Sequence, residues 1–129
     1  RNIVRWNVAQ LSPTDGPRGH RILVLRKKEK KRQISNHNAL LQHLRQSFPG
    51  IPVEESDMAL PAKEQMRRLN EATVMITPPG SLGFIAMFAP TNTAVIFVDH
   101  WFPSQNLSRG MDQFVFQRMP YLNVFQYPV

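Results

Sequence analysis

The segment HRILVLR, residues 20–26, decides the fold of this 129-residue chain. Its apolar run from Ile22 to Leu25 is short, continuous and β-branched at its start. A strand of that kind is typical of a parallel sheet, because helices cover both faces of such a sheet. We therefore interpret residues 20–26 as the first strand of an α/β domain, and a chain of this length fits one domain.

After this strand, helix-like and strand-like patterns alternate along the sequence. The best-defined helix begins at a Ser35 or Asn36 cap and is stopped by Pro49. Its apolar face consists of Leu40, Leu41, Leu44 and Phe48. The full predicted order is a strand at 20–26, a helix after Asn36, a strand at 51–55, a helix from Pro61, a strand at 73–77, a helix at 81–89 and a strand at 93–98. This alternation predicts a mostly parallel sheet in the strand order 2-1-3-4 with helices on both faces, which is a Rossmann-like three-layer domain.

The two ends of the chain are less regular. Residues 1–19 show no clean period and contain several turn residues, so we expect a segment that leads in from an absent N-terminal part. The domain itself is predicted to cover 20–129. The first residue is Arg1 rather than an initiator Met, which indicates a piece of a longer protein. A short helix is predicted near 111–117, and residues 121–129 receive no assignment.

Positive charge is concentrated in one part of the sequence. Residues 18–45 hold nine of the 16 Lys and Arg and one of the nine Asp and Glu, so they carry +8 and the rest carries −1. Such a patch implies an anionic partner, which could be nucleic acid, an acidic membrane or a phosphorylated small molecule. The most apolar stretch, 74–98, is interrupted by Pro and Gly and predicts no membrane span.

Several kinds of chemistry are excluded or disfavoured by composition and spacing. Without cysteine the chain has no disulfide, no Cys-bound zinc and no thiol nucleophile. His37 and His43 are six residues apart on one predicted helix, which does not match metal-ligand spacing. Carboxylates are too few near the predicted cleft for a paired-acid hydrolase. We therefore expect no bound metal and no cofactor, and we assign no catalytic residue.

Three features fall at the carboxyl edge of the predicted sheet, where open parallel sheets bind their ligands. They are the basic loop at 26–36, the turn at 77–81 and the pair Asp99-His100. Gly80 and Ser81 open a predicted helix, so their amides and that of Leu82 would face a bound phosphate. The alternative is an ordinary strand-to-helix turn with Ser81 as its cap. Asp99 is a candidate acceptor for a ribose hydroxyl.

Arg26 and Arg32 are the cations best suited to a diphosphate. Arg26 ends the buried strand, so the sheet fixes its Cα and its guanidinium can bind an oxyanion bidentately. Arg32 lies six residues further on and can fold back over the same site. The lysines between them are more typical of a solvated charge run. The turn is neither a G-x-G-x-x-G fingerprint nor a P-loop, which disfavours nicotinamide or ATPase function.

Four stretches occur in a suggestive order and spacing: ILVLR at 22–26, RQISN at 32–36, TVMITPPGS at 73–81, and Pro90 followed by TAVI at 93–96. Together they resemble the C-terminal half of glycosyltransferase family 61, over about residues 21–98. In that family the turn after the third strand usually reads Gly-Pro-His-Gly-Ala-Gly. Here Thr77, Pro79, Ser81 and Leu82 replace its first Gly, its His, its Ala and its last Gly.

The resemblance implies one Rossmann-like half of a GT-B enzyme, in which a nucleotide-sugar binds between two halves. The full-length protein would transfer a sugar to a hydroxyl of a glycan or protein acceptor in the Golgi or endoplasmic reticulum lumen. The base would come from the missing N-terminal half, so this chain alone would be inactive. The implied donor-binding residues are Arg26, Arg32, Asn36, Gly80, Ser81, Leu82 and Asp99. Without the family's His, backbone amides and the two arginines would hold the diphosphate.

Two other functions stay open at this point. One is a nucleic-acid or polyanion binding module that uses the loop at 26–32, although this loop lacks the interleaved aromatic residues of a stacking platform. The other is a non-catalytic glycosyltransferase-like domain, since Pro79 departs from the family pattern.

Asn106-Leu107-Ser108 is an N-glycosylation sequon, which has meaning only in a secretory compartment.

Overall fold

A five-stranded parallel sheet is the centre of the computed structural model, which describes residues 19–29, 32–109, 113–116 and 118–129. The strands are β1 (Ile22–Leu25), β2 (Val53–Ser56), β3 (Val74–Thr77), β4 (Ala94–Val98) and β7 (Asn123–Tyr127), and β5 (His100–Phe102) and β6 (Leu107–Arg109) form a separate antiparallel pair. The helices are α1 (His37–Ser47), α2 (Ala62–Glu71), α3 (Gln113–Phe116) and two 3-10 helices, Ser81–Phe88 and Pro103–Gln105.

The strand order of the central sheet is β2-β1-β3-β4-β7. β1 pairs in parallel with β2 on one side and with β3 on the other, so Ile22 lies opposite both Val53 and Val74. The predicted order 2-1-3-4 and the α/β class are therefore confirmed. Because the chain reverses its direction of winding between β1 and β3, their carboxyl ends form the switch point of the sheet.

The side chains of β1 enter two separate cores because successive residues of a strand point to opposite faces. Leu23 and Leu25 belong to a core that includes residues of α2 and of the 3-10 helix Ser81–Phe88. Ile22 and Val24 belong to a second core under α1. All four residues of the strand are buried, which confirms its interpretation as a strand covered on both faces.

Helix α1 ends at Ser47, one residue before Phe48, which is the last residue of the predicted apolar face. Phe48 is the C-cap residue, with φ −129° and ψ 63°, and is 45% exposed. Its backbone has left the helix, so its side chain does not continue the buried row of Leu41 and Leu44. The prediction that Phe48 shares the buried face was wrong. α2 begins after Pro61 as expected, and its Met66 and Leu69 are buried.

The helix predicted at 81–89 is a 3-10 helix that packs very closely on the sheet. Its first hydrogen bond runs from the amide of Gly83 to the carbonyl of Gly80, at 2.9 Å. A Cβ on Gly83 would lie 3.0 Å from Cε1 of Phe97 and 3.2 Å from Oγ1 of Thr77. A side chain at this position would press on Phe97 and Thr77, so Gly83 favours this close approach of the helix to β3 and β4.

The C-terminal part adds a strand that the sequence did not predict. β7 pairs in parallel with β4 from Ala94–Asn123 to Val98–Tyr127. α3 falls inside the predicted helix at 111–117, of which residues 111, 112 and 117 lie outside the described residues. The predicted lead-in segment at 1–19 also lies outside them, apart from Gly19. None of the helices in the described ranges is both long and apolar enough to cross a bilayer.

Replacing Phe116 by Ala is expected to lower the free energy of unfolding by about 3–5 kcal/mol. Phe116 is fully buried, and its ring centroid lies 4.6 Å from that of Phe97. Phe125→Ala is the matched control, because Phe125 is 56% exposed on β7 and its truncation should cost within about 0.5 kcal/mol. Urea denaturation measures both. Similar small losses would show that α3 does not pack on the sheet as described.

Candidate functional site

The loop after β1 and the turn after β3 meet at Gly80. A Cβ placed on Gly80 would lie 3.0 Å from Nζ of Lys27 and 3.1 Å from NH1 of Arg32. Both side-chain ends therefore rest against the backbone at the start of the 3-10 helix Ser81–Phe88. Neither Lys27 nor Arg32 makes an ion pair with a carboxylate of the described residues. The result is two positive groups on one buried glycine at the switch point of the sheet.

Gly80 has a backbone conformation that other residues avoid. Its φ is +107° and its ψ is −162°, and it is the N-cap residue of the 3-10 helix. Gly80 is buried beside Pro78 and Pro79, whereas Ser81 is exposed and Leu82 is half-buried. No side chain caps this helix, so the alternative role of Ser81 as a capping residue is wrong. The turn presents backbone and a serine hydroxyl next to the two cations.

Lys27 was not singled out from the sequence, although a signal for it exists. The alternation of β1 sends Leu23 and Leu25 to the face covered by the 3-10 helix. The next residue of the same parity is Lys27, and its Nζ lies against Gly80, which opens that helix. Extending the period of two past the end of the strand would therefore have assigned Lys27 to the turn.

Arg26 has the opposite parity and lies with different partners. Its NH1 donates to Oε1 of Glu55 at 3.1 Å, and Oε2 of the same carboxylate is 3.0 Å from Nε2 of His37. Glu55 stands opposite Val24 in β2, on the face that α1 covers. Lys28 follows the same parity and pairs with Asp57 at 2.8 Å. In this structure Arg26 and Lys28 are both neutralised by acids from β2 or its end.

Glu55 and His37 form a pair that sequence reasoning missed. His37 is 7% exposed and is the first residue of α1, so the pair ties the start of α1 to β2. Partial burial works to raise the pKa of Glu55, but hydrogen bonds from Arg26 and His37 outweigh it. The pKa therefore lies below its ordinary value of 4.5. The two residues are 18 positions apart, and no local pattern marks them as partners.

A pocket of about 180 Å³ opens beside these residues at the start of α1. Asn36 is the N-cap residue of α1, but its side chain makes no capping hydrogen bond, with φ −102° and ψ 31°. Capping side chains normally need an extended backbone at this position, which explains the difference from the predicted cap. The pocket lining is mostly polar: Leu25, Arg26, Lys27, Gln33, Ile34, Ser35, Asn36, His37, Asn38 and Ala39.

Asp99 connects the end of β4 to the C-terminal strands. It is 6% exposed, and its Oδ1 accepts from Nε2 of Gln126 at 2.7 Å while Oδ2 accepts from Oγ of Ser108 at 3.1 Å. Both side-chain contacts of Asp99 join parts of the fold to one another, and its role toward a ribose stays a prediction. The described residues contain no group of three or more His, Asp or Glu arranged to hold a metal ion.

The fold is a Rossmann-like α/β domain, with two cations and a glycine turn at the switch point of its sheet. The family model of Glycosyltransferase 61 matches residues 3–96, which is more than half of the chain. The chain therefore belongs to glycosyltransferase family 61. A search of curated proteins finds no match. Membership establishes a glycosyltransferase domain, and with it a sugar donor and an acceptor in general terms.

The departures from the family turn are all accommodated in the fold. Pro79, at the position of the family's His, is buried, and so is Thr77. The hydroxyl of Thr77 donates to the carbonyl of Pro78 at 3.0 Å. The place of the imidazole is thus filled by a ring without a titratable group, and the side-chain ends of Lys27 and Arg32 lie beside Gly80.

Gly80→Ala is expected to lower the free energy of unfolding by about 1–3 kcal/mol, since a Cβ strains a backbone at this φ. The new Cβ also pushes the ends of Lys27 and Arg32 aside. Gly50→Ala is the matched control, because a Cβ there meets nothing within 4 Å, and its effect should stay within about 0.5 kcal/mol. Thermal and urea unfolding compare the two variants. Equal effects would contradict the strained turn.

Glu55→Gln is expected to destabilise the protein at neutral pH by up to about 1 kcal/mol, because Arg26 and His37 lose a charged acceptor. The pKa of Glu55 is lowered in the fold, so its stabilisation is fully present above the ordinary pKa of 4.5. It is lost as the pH falls through the lowered pKa.

The measurement is the difference in unfolding free energy between the natural chain and this variant across the acid range. That difference should shrink toward zero at the lowest pH, where protonated Glu55 resembles Gln. Glu29→Gln, on the exposed loop, is the control and should give a flat, small difference. A difference for Glu55→Gln that does not change with pH would disprove the role of the carboxylate charge.

Proposed function

We propose that this chain is the donor-binding domain of a GT-B type glycosyltransferase and holds the diphosphate of a nucleotide-sugar at Gly80. The observation that carries the proposal is the convergence of Lys27 Nζ and Arg32 NH1 on the Gly80 backbone. Family membership supplies the reaction class, and the switch point supplies the place where such sheets bind ligands.

The charges around Gly80 suit a diphosphate better than a neutral ligand. Lys27 and Arg32 have no carboxylate partner among the described residues, whereas Arg26 and Lys28 have Glu55 and Asp57. A bound anion would supply the missing negative charge for the first two. Ser81 would add a hydroxyl, and the amides of Ser81 and Leu82 belong to a first helical turn, whose N–H groups attract anions.

Asn36 and Arg26 are assigned a secondary part in donor binding. Both line the pocket at the start of α1, and Lys27 lines it as well. The pocket therefore connects Lys27, one of the two cations at Gly80, with the start of α1. Arg26 would bind the ligand while it keeps its hydrogen bond to Glu55, because one guanidinium carries five N–H donors.

The chemistry is direct transfer of the sugar. The acceptor hydroxyl attacks the anomeric carbon, the bond from that carbon to the diphosphate oxygen breaks, and the hydroxyl proton passes to a base. Lys27 and Arg32 stabilise the charge that develops on the leaving diphosphate, which is an electrostatic contribution rather than covalent catalysis. The other half of the GT-B enzyme supplies the base and binds the acceptor, which is a glycan or a protein. This chain alone is expected to bind nucleotide weakly and to transfer nothing.

Arg32→Ala is expected to weaken binding of UDP or GDP ten- to a hundredfold, since a charge-assisted contact contributes about 1.5–3 kcal/mol. Lys27→Ala should weaken it by a similar factor. Lys28→Ala is the matched control, because Lys28 is an exposed loop cation that pairs with Asp57. It should change affinity less than about fivefold, as expected for a screened surface charge. Calorimetric titration measures all three, with circular dichroism to confirm folding.

Two outcomes would overturn this assignment. No heat with any nucleoside diphosphate would remove the donor site. Equal losses from Arg32→Ala, Lys27→Ala and Lys28→Ala would indicate a diffuse positive surface, and gel shifts with arbitrary DNA at two salt concentrations would then test the polyanion function. If nucleotide binds as expected but the complete protein transfers no sugar, the domain is a non-catalytic relative in which Pro79 has replaced the family's His.

A further inference from the structure

The hairpin of β5 and β6 carries the sequon Asn106-Leu107-Ser108, which the donor site does not use. Asn106 lies between the 3-10 helix Pro103–Gln105 and β6, and it is exposed. Its φ of 47° and ψ of 46° are left-handed, a conformation that Asn tolerates better than most residues. In the part of the chain that the structure describes, its side-chain amide makes no hydrogen bond.

We propose that Asn106 is an acceptor for an N-linked glycan in a secretory lumen. The triplet has the required hydroxyl residue at its third position and no proline at its second. A glycan at this exposed turn would displace no buried contact. It would also add polar surface next to Leu107, which is 39% exposed. The inference is independent of the donor site, because it rests on the hairpin alone.

The reaction joins the side-chain amide to a glycan carried on a polyprenyl diphosphate, which the transferring enzyme of the lumen supplies. The amide nitrogen of Asn106 bonds to the anomeric carbon, and the bond from that carbon to the diphosphate oxygen breaks. The amide proton goes to a base of that enzyme, and the polyprenyl diphosphate leaves. No oxidation or reduction takes place.

Ser108 determines when the sequon is available. In the fold its Oγ donates to Oδ2 of Asp99 at 3.1 Å and accepts from the amide of Val129 at 3.1 Å. The hydroxyl is thus committed to the contact between β6, Asp99 and the C-terminal residues. The triplet is therefore expected to be glycosylated before the hairpin folds, and poorly or not at all once the chain has reached its native state.

The test is expression of the 129-residue chain behind a cleavable secretory signal in eukaryotic cells, followed by peptide mass spectrometry with and without peptide N-glycosidase. The expected result is a glycan mass on the peptide with Asn106, and conversion of that residue to Asp by the enzyme. Asn106→Asp should abolish the modification while keeping a residue that tolerates the left-handed turn. Ser108→Thr should retain it, because the hydroxyl is kept.

Asn92→Gln is the matched control, because Asn92 is also exposed with a positive φ, of 67°, but is not part of a sequon. It should leave the glycan mass unchanged. Recovery of the natural chain from the lumen without a glycan would overturn the proposal. So would a glycan that persists in Asn106→Asp.

Discussion

The burial of β1 on both of its faces is the constraint on which the other features depend. Ile22 and Val24 enter one core and Leu23 and Leu25 the other, so a slip of one residue would exchange the two sets. The register is therefore fixed on both sides, against β2 and against β3. A fixed register also determines where the chain leaves the sheet. The position of that exit determines toward which face of the sheet each basic side chain of the following loop is directed.

The loop after β1 separates its charges by the same alternation. Arg26 and Lys28 share the parity of Val24 and pair with Glu55 and Asp57, which share one parity themselves. Lys27 shares the parity of Leu25 and reaches the Gly80 turn, where Arg32 joins it. The described cations of this basic loop are thus divided by the sheet. Arg26 and Lys28 are neutralised within the fold, whereas Lys27 and Arg32 lie at the glycine of the switch point.

Patterns in the sequence predicted the helices and strands that depend on residues close in sequence. They missed the strand pairing and the ion pair that depend on residues far apart in sequence. β1, α1, α2 and the order 2-1-3-4 follow from local apolar periods and from proline and glycine positions. β7 was missed because most of its side chains are exposed and only its pairing with β4 identifies it. Likewise the Glu55–His37 pair exists because β2 returns beside β1, and nothing within either segment indicates it. Lys27 differs from these cases, since counting by two along β1 would have found it.

The replacement of the family's His by Pro79 can be reconciled with an anion site because a diphosphate is held mainly by charge. A neutral imidazole offers one donor, whereas the ammonium of Lys27 offers three and the guanidinium of Arg32 offers five. Both also contact the backbone of a residue whose φ of +107° excludes other side chains. The absence of a side chain at Gly80 therefore lets both cations lie against the turn, which makes its surroundings positive. For the proposed function, the features of the turn that matter are therefore Gly80 and the parity that brings Lys27 to it, rather than the identity of the residue before the glycine.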